Sequence, residues 1–320
     1  MASHNLNKAK KIKFDEFYTK RADIEDELKH YKEHFKNKVV FCNCDDPSIS
    51  EFYQYFSTQF DRLGLKKLIS THYETEKPSY KLEIIGDINK DGKVNIQDTK
   101  ETKLKQNGDF RSDESIELLK ESDIVVTNPP FSLLREYIAQ LFEYNKKFLI
   151  VANINSTTCK EIFPLYAENK MWLGYKQGAQ EFLVPDYYDN KNAYVAKDGK
   201  KYAKFGNICW LTNLDIKKRH EELDLYKKYS PEEYTKYDNY DGIEVGSVAN
   251  IPMDYEGNMG VPVSFLYKYN PEQFEIVGAD FDLAGAVIID GKHKPKPQRF
   301  YIESNRKYAR IIIRHKKVKK

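Results

Sequence analysis

The chain predicts an α/β fold, with a doubly wound, mostly parallel, Rossmann-like sheet over residues 1–213 and a smaller β-rich region over 214–320. Three observations lead there. Apolar runs without alternation read as strands buried on both faces, namely Lys38-Val39-Val40-Phe41-Cys42-Asn43, Asp123-Ile124-Val125-Val126-Thr127 and Lys147-Phe148-Leu149-Ile150-Val151-Ala152. Amphipathic stretches separate such strands at the spacing of βαβ units. Beyond Asn213 the alternation gives way to charged, weakly periodic stretches and short strands punctuated by Gly and Pro.

In chain order, Ile24, Leu28, Tyr31 and Phe35 recur at helical spacing and predict an amphipathic helix over 22–36. After the strand 38–43, Ser48 is placed to cap a helix whose apolar face is Ile49, Phe52, Phe56, Phe60 and Leu63, with Gly64 as its terminator. Lys67-Leu68-Ile69-Ser70 is the next strand, and 80–95 reads as a hairpin in which 81–85 pair with 93–96. A capped helix over 112–121 leads into the strand 123–127. A helix from Ser132 turns Leu134, Ile138, Leu141 and Phe142 inward, and the strand 147–152 follows. Residues 180–184 and 208–212 read as a closing antiparallel pair, joined by a long, polar, tyrosine-rich loop. In the C-terminal region strands are expected at 261–267, 274–277, 286–289 and 309–313.

Asn128-Pro129-Pro130-Phe131 stands directly after the strand 123–127. Two consecutive prolines end a strand abruptly, so these residues occupy a strand's carboxyl end, the rim where open α/β sheets bind ligands. Asn brings an amide oxygen that accepts hydrogen bonds, the prolines leave carbonyls without competing N–H groups, and Phe offers a flat ring. Such a cage suits a planar ring that carries an exocyclic amino group. The same tetrapeptide is also ordinary loop punctuation, so its neighbours decide.

Composition narrows the function classes. No stretch approaches the roughly 18 to 20 apolar residues of a membrane span, and residues 1–13 are polar and lysine-rich, so a cytoplasmic protein is expected. Cys42 and Cys44 are too closely spaced for a zinc knuckle, and with Cys159 and Cys209 they are expected as buried thiols. Basic residues gather at both ends, with Lys8, Lys10, Lys11 and Lys13 at one and Lys292, Lys294, Lys296, Arg299, Arg310, Arg314, Lys316, Lys317, Lys319 and Lys320 at the other. This pattern suits a polyanion. Tyrosines interleaved with lysines, as in Tyr226-Lys227-Lys228-Tyr229, add rings on which bases stack, although AT-rich codons produce the same mixture.

One motif points elsewhere. Asp87, Asn89, Asp91, Asn95 and Asp98 fall at positions 1, 3, 5, 9 and 12 of a calcium loop, with Gly92 at position 6. Against calcium, the residues before Asp87 are strand-like, Asp91-Gly92 is a strong hairpin signal, and Asp at position 12 is one methylene shorter than the usual Glu. We therefore expect no metal.

Four segments, Asp15-Glu16-Phe17-Tyr18-Thr19, Phe41-Cys42-Asn43-Cys44-Asp45-Asp46-Pro47, Gly108-Asp109-Phe110-Arg111-Ser112 and the run from Asp123 to Phe131, occur in the order found in EcoRI-type adenine-specific DNA methyltransferases, and the chain resembles that family. The likeness continues in Tyr237-Asp238-Asn239-Tyr240-Asp241, Met259-Gly260-Val261-Pro262 and Asn270-Pro271-Glu272-Gln273-Phe274-Glu275-Ile276, and so covers most of the chain. Asn-Pro-Pro-Phe alone is shared by many amino-methylating enzymes, whereas the Asp-Asp-Pro and C-terminal blocks are far more specific.

The resemblance implies an S-adenosylmethionine-dependent methyltransferase fold that modifies adenine N6 in a specific double-stranded DNA sequence, with the base flipped out of the helix. On these residues it implies a catalytic set of Asn128, Pro129, Pro130 and Phe131. Asn128 and the Pro129 carbonyl would accept the N6 hydrogens, and Phe131 would stack on the base. For the cofactor it points to Tyr18, Thr19, Asn43, Asp45, Asp46, Asp109 and Phe110. The glycine-rich first motif of most methyltransferases is missing, so Asp45 and Asp46 either hold cofactor hydroxyls or cap the following helix. Trp210 is either a second ring for the target base or a core residue. The order of motifs places target recognition in 214–320. A restriction endonuclease acting on the same site without a stable complex is the implied partner, with GAATTC a first guess at the site. Alternatives are the same chemistry on RNA or on a protein glutamine amide, and a catalytically silent DNA-binding protein.

Overall fold

The computed structural model describes residues 17–317 apart from 45, 76, 77, 290 and 296. Asp45 lies outside the described residues, as do Asp15, Glu16, Lys8, Lys10, Lys11, Lys13, Lys296, Lys319 and Lys320. The chain divides into two units, one of Met1–Ile154 with Leu173–Leu214 and one of Asn155–Trp172 with Asp215–Lys320. Residues 155–172, which the sequence groups with the first region, thus belong to the second unit.

The first unit begins with β1 (Tyr18–Thr19), α1 (Arg21–Leu28), α2 (Lys32–Phe35), β2 (Val39–Cys42), α3 (Glu51–Thr58), α4 (Phe60–Leu63) and β3 (Lys67–Thr71). It continues through β4 (Tyr80–Ile84), β5 (Lys100–Lys103), α5 (Asp113–Glu121), β6 (Ile124–Thr127), α6 (Leu134–Glu143) and β7 (Lys147–Asn153). A segment of the second unit, with α7 (Phe163–Ala167), intervenes before β8 (Trp172–Leu183), β9 (Ala193–Val195) and β10 (Lys201–Thr212).

These strands form a ten-stranded sheet in the order β1-β8-β10-β7-β6-β2-β3-β4-β5, with β9 paired to β10. At its centre β3, β2, β6 and β7 run parallel, Val40 facing Leu68 on one side and Ile124 on the other. Val40, Phe41, Leu68, Ile69, Val125, Val126 and Leu149 have no exposed surface. Continuous apolar runs form strands here because both faces of the parallel centre are covered. The chain passes from β2 to β3 on one side and returns to β6 on the other, so the topological switch point lies between β2 and β6.

The flanks are antiparallel: β3 with β4, β4 with β5, β7 with β10, β9 with β10 and β1 with β8. The sheet is therefore mixed where a mostly parallel one was expected. Sequential hairpins build the β3–β4–β5 edge and need no crossover helix, whereas the other edge pairs β1 with the distant β8. The expected pairing of 81–85 with 93–96 gives way to β4 with β5, in which Lys81 faces Thr102 and Glu83 faces Lys100. The turn at Asp91-Gly92 is real, with Lys90 and Gly92 at positive φ, but it sits inside the connecting loop. There the calcium-like side chains accept from backbone amides. Asp87 takes those of Asp91 (3.2 Å) and Gly92 (2.8 Å), and Asp98 takes those of Ile88 (2.8 Å), Asn89 (3.2 Å) and Asn95 (3.0 Å). Asn89, Asp91 and Asn95 accept the amides of Asp91, Lys93 and Gln97. Among the described residues no three His, Cys, Asp or Glu side chains gather as a metal site.

The helix expected over 22–36 is broken between α1 and α2, yet Ile24, Leu28, Tyr31 and Phe35 are all wholly buried. Ser50, instead of Ser48, caps α3 through the Phe52 amide (3.3 Å), because Asp46 holds both the amide and the hydroxyl of Ser48. Ile49 consequently falls outside the helix and is 45% exposed. The expected loop between residues 184 and 208 is interrupted by β9 and by an extended β10. Among the thiols Cys42 and Cys209 are buried and Cys44 and Cys159 partly exposed. No helix of the described residues is long and apolar enough to cross a membrane.

In the second unit β11 (Lys236–Tyr237), β12 (Tyr240–Glu244), β13 (Met259–Pro262), β14 (Phe274–Ala279) and β19 (Arg310–His315) form a sheet in the order β11-β12-β13-β19-β14. Between its last two members lie α8 (Asp280–Leu283) and two hairpins, β15 (Val287–Ile289) with β16 (Lys292–Lys294) and β17 (Tyr301–Ile302) with β18 (Asn305–Arg306). The strand expected over 261–267 ends at Pro262 and turns into a 3-10 segment, Val263–Tyr267.

Several side chains of the C-terminal blocks brace the backbone. Asn239 accepts the Tyr301 amide (3.0 Å) and donates to the carbonyls of Gly285 (3.0 Å) and Arg299 (3.1 Å). Asp238 takes the amides of Glu303 and Ser304, and Gln273 exchanges two 2.8 Å bonds with the Leu223 backbone. A Cβ on Gly260 would stand 2.0 Å from the Tyr237 hydroxyl, so only glycine fits beneath that ring.

Asp280 is 1% exposed, with the Arg299 guanidinium at 3.3 Å and the Arg310 amide at 3.1 Å. Burial outweighs these partners and pushes its carboxyl up to about 6. The unfolded chain releases this proton at about pH 4, so the group adds stability below about pH 4 that is lost as pH rises through about 6. In Asp280→Asn that dependence should vanish, and urea midpoints should change less between about pH 4 and pH 7 than in the wild type. Identical pH profiles for the two proteins would show that the carboxyl titrates alike in the folded and unfolded chain.

Candidate active site

The switch point brings together the ends of β2 and β6. Thr127 donates its hydroxyl to the Asn43 carbonyl, and Tyr137 of α6 donates to the Asn43 side-chain oxygen. Asn43 is 1% exposed. Its side chain is thus a brace between two strand ends and a helix. Burial pushes the Tyr137 hydroxyl well above its ordinary value, so it stays a donor.

Beyond Thr127 the prolines turn the chain out of the sheet, and Phe131 opens a 3-10 turn whose Leu133 amide reaches the Pro130 carbonyl (3.0 Å). Asn128, 5% exposed, donates its side-chain nitrogen to the Phe17 carbonyl. Its Oδ1 is buried and has no partner among the described residues. That oxygen is the free acceptor of the site. The Phe17 ring lies 5.6 Å from Phe131, and it also meets Phe182 (6.1 Å), Tyr188 (5.6 Å) and Phe205 (4.8 Å). Phe17 joins the acceptor to the aromatic wall, a role that no periodicity in the sequence signals. Phe182 and Phe205 were missed for the same reason.

Thr19 is 2% exposed, and its hydroxyl is the second orphan on this side of the sheet. Tyr18 points to the opposite face of β1 and is partly exposed. Asp46 binds the Ser48 amide (2.9 Å) and hydroxyl (2.7 Å), with the His72 ring at 3.6 Å. Asp109 is clasped by Arg111 through Nε (2.8 Å) and Nη2 (2.7 Å), which overcomes burial and holds the carboxyl below its usual range. Phe110 is buried edge-on against Tyr137 (5.0 Å), its carbonyl held by Gln140. The loop is pinned at Gly108, where a Cβ would stand 1.9 Å from the His72 carbonyl oxygen.

The structure brings together Asn128, Phe131, Phe17 and Thr19, and it corrects one assignment. Trp210 is wholly buried within β10, edge-on to Phe52 at 5.9 Å, where no base can reach it. It is a core residue.

A buried amide acceptor ends one strand at the switch point of the α/β sheet, and the relatives give the class, a methyltransferase. The chain belongs to the family of EcoRI-type adenine-specific methyltransferases, whose model matches residues 5–316. It is 47% identical over 334 residues to Type II methyltransferase M.EcoRI of Escherichia coli, which spans 98% of this chain and 97% of that protein. Type II methyltransferase M.MgeORF184P of Mycoplasma genitalium is 43% identical over 281 residues, 86% of each chain. Type II methyltransferase M.MpnI of Mycoplasma pneumoniae is 38% identical over 326 residues, 98% of each. The family expected from the motifs is thereby established.

Two substitutions test the architecture. Tyr137→Phe strands the Asn43 oxygen, with an expected loss of about 1 to 3 kcal/mol in urea unfolding. Trp210→Ala should cost about 3 to 5 kcal/mol of stability. A ring that served the base would instead lose DNA affinity at unchanged stability.

Proposed function

We propose that this chain methylates the N6 amino group of adenine in a specific duplex DNA sequence, as a modification methylase, with S-adenosylmethionine as donor. The observation that carries the reading is the Asn128 side chain, whose nitrogen is committed to Phe17 and whose buried oxygen is open at the end of β6. A buried amide oxygen without a donor costs stability, and a ligand N–H recovers it.

S-adenosylmethionine supplies an electrophilic methyl group on a positively charged sulfur. Asn128 Oδ1 and the Pro129 carbonyl accept the two N6 hydrogens, which holds the nitrogen lone pair toward the methyl carbon. The same two oxygens would offset the positive charge that N6 gains during transfer. N6 then releases one proton to water. Pro130 fixes the turn, and Phe131 stacks on the base with Phe17 behind it. In a duplex N6 is paired and enclosed, so the base must leave the stack. Thr19 offers the donor its free hydroxyl and Phe110 an apolar wall. Tyr18, Asp45 and Asp46 are further contacts, while Asn43 and Asp109 act by holding the strand end and the loop.

The first unit would carry catalysis and the second target recognition, with exposed lysines such as Lys292 and Lys294 on phosphates. An endonuclease sharing the site needs no stable complex with it. The intact Asn128 cage speaks against a silent DNA-binding protein.

Sequencing DNA from cells that express the protein, with detection of modified bases, should show N6-methyladenine in one sequence context. Methyl transfer to RNA but not to duplex DNA would overturn the reading. Asn128→Ala should abolish transfer while DNA affinity stays within about twofold, because the flipped base is the only part of the DNA that the amide would meet. Replacing both Lys292 and Lys294 with Ala should flatten the slope of log K against log salt by about one for each phosphate that is no longer neutralised.

A further inference from the structure

Gln180 lies in β8, is 2% exposed, and neither its Oε1 nor its Nε2 has a hydrogen-bond partner among the described residues. Burying a primary amide with nothing to bond costs roughly 1 to 3 kcal/mol per group, and native folds keep few such groups. Its surroundings explain why this one persists. In the β1–β8 ladder Thr19 faces Phe182, so Gln180, two residues along, shares the face of Thr19, Phe182 and Phe17. Thr19 carries an orphan hydroxyl, and Phe17 carries the carbonyl that anchors Asn128. The opposite face of the same ladder is ordinary surface, closed by the Lys20–Glu181 ion pair at 2.6 Å. The unsatisfied groups therefore lie on the face that turns toward the site.

Three polar functions await a ligand there: the Thr19 hydroxyl, the two Gln180 N–H donors and the Gln180 acceptor. A flipped adenine does not satisfy them. Once Asn128 and Pro129 hold both N6 hydrogens, the base has only ring nitrogens left, all acceptors, and Gln180 Oε1 stays bare. An α-amino acid end matches every one, with a carboxylate for the hydroxyl and the N–H donors and an ammonium for the amide oxygen. We propose that Gln180 is a donor-binding residue that, with Thr19, holds the amino-acid end of S-adenosylmethionine. This rests on the proposed identity of the donor and adds to it a residue that no motif marks.

The test compares two ligands by calorimetry, S-adenosylhomocysteine, which has the amino-acid end, and 5′-methylthioadenosine, which lacks it. Gln180→Met keeps the length of the side chain and removes its hydrogen bonds. It should weaken S-adenosylhomocysteine roughly tenfold or more, leave methylthioadenosine within about twofold, and leave the melting temperature unchanged or higher. Gln180→Glu should show the same split, through repulsion of the ligand carboxylate. Unchanged S-adenosylhomocysteine affinity in Gln180→Met, or equal weakening of both ligands, overturns the assignment alone. A wild-type protein that binds neither ligand overturns the donor reading as well.

Discussion

A single hydrogen bond, from Asn128 Nδ2 to the Phe17 carbonyl, sets the direction of the site, because it decides which atom of the amide is left to meet a substrate. With the nitrogen spent, the buried oxygen is left as an acceptor without a partner among the described residues. That bond depends on where β1 is held, and β1 is two residues long. Its position comes from its neighbours. α1 follows it directly, and Glu27 of α1, wholly buried, accepts the β8 amides of Tyr175 (2.9 Å) and Lys176 (2.6 Å) and the Tyr31 hydroxyl (2.7 Å). A Cβ on Gly174 would stand 2.2 Å from the Glu27 carboxylate, so the close approach of helix to strand requires glycine. A buried carboxylate far from the chemistry thus fixes the helix, the strand and finally the amide.

How much of this could be read beforehand depended on whether the signal was local. β6 and β7 announce themselves through unbroken apolar runs, and the double proline marks where β6 must stop. α5 begins where its cap Ser112 indicated. Neither the place of β1 beside β8 nor the convergence of Phe17, Phe182 and Phe205 has a periodic signature, since both arise from pairing across more than 150 residues. The β4–β5 pairing was hidden by an Asp-Gly turn that is genuine but serves the connecting loop. Trp210 shows the same limit, since a strand's sequence does not tell which of its rings meets solvent.

Motif density also proved a poor guide to chemistry. In the second unit Asp238, Asn239, Gly260 and Gln273 sit in the blocks most specific to the family, and each is used up in bonding backbone or clearing space for a ring. In the loop before β5 the calcium-like carboxylates bind amides in the same way. A side chain that already satisfies a backbone group leaves that group bare if it turns to a ligand, so such residues are held in place by the fold. The informative residues are those that lie at the site with a polar atom unpartnered among the described residues, Asn128, Thr19 and Gln180.

That distinction bears on how the site works. Asp46 is bound to Ser48, Asp109 is clasped by Arg111, and burial raises the Tyr137 hydroxyl out of the range of a useful base. Among the described residues, the site groups left without a partner are the Asn128 oxygen, the Thr19 hydroxyl and the Gln180 amide, none of which titrates near neutrality. The proposed reaction needs no more. Methylated N6 carries a positive charge that makes its remaining hydrogens acidic, so the proton departs to water without a base once the bond has formed. What the nitrogen lacks beforehand is a lone pair free of the ring, and two fixed acceptors supply that by orientation alone. In the proposed reaction, rate rests on how firmly the Asn128 oxygen is held, and so on the chain of contacts that runs back through Phe17 and β1 to Glu27.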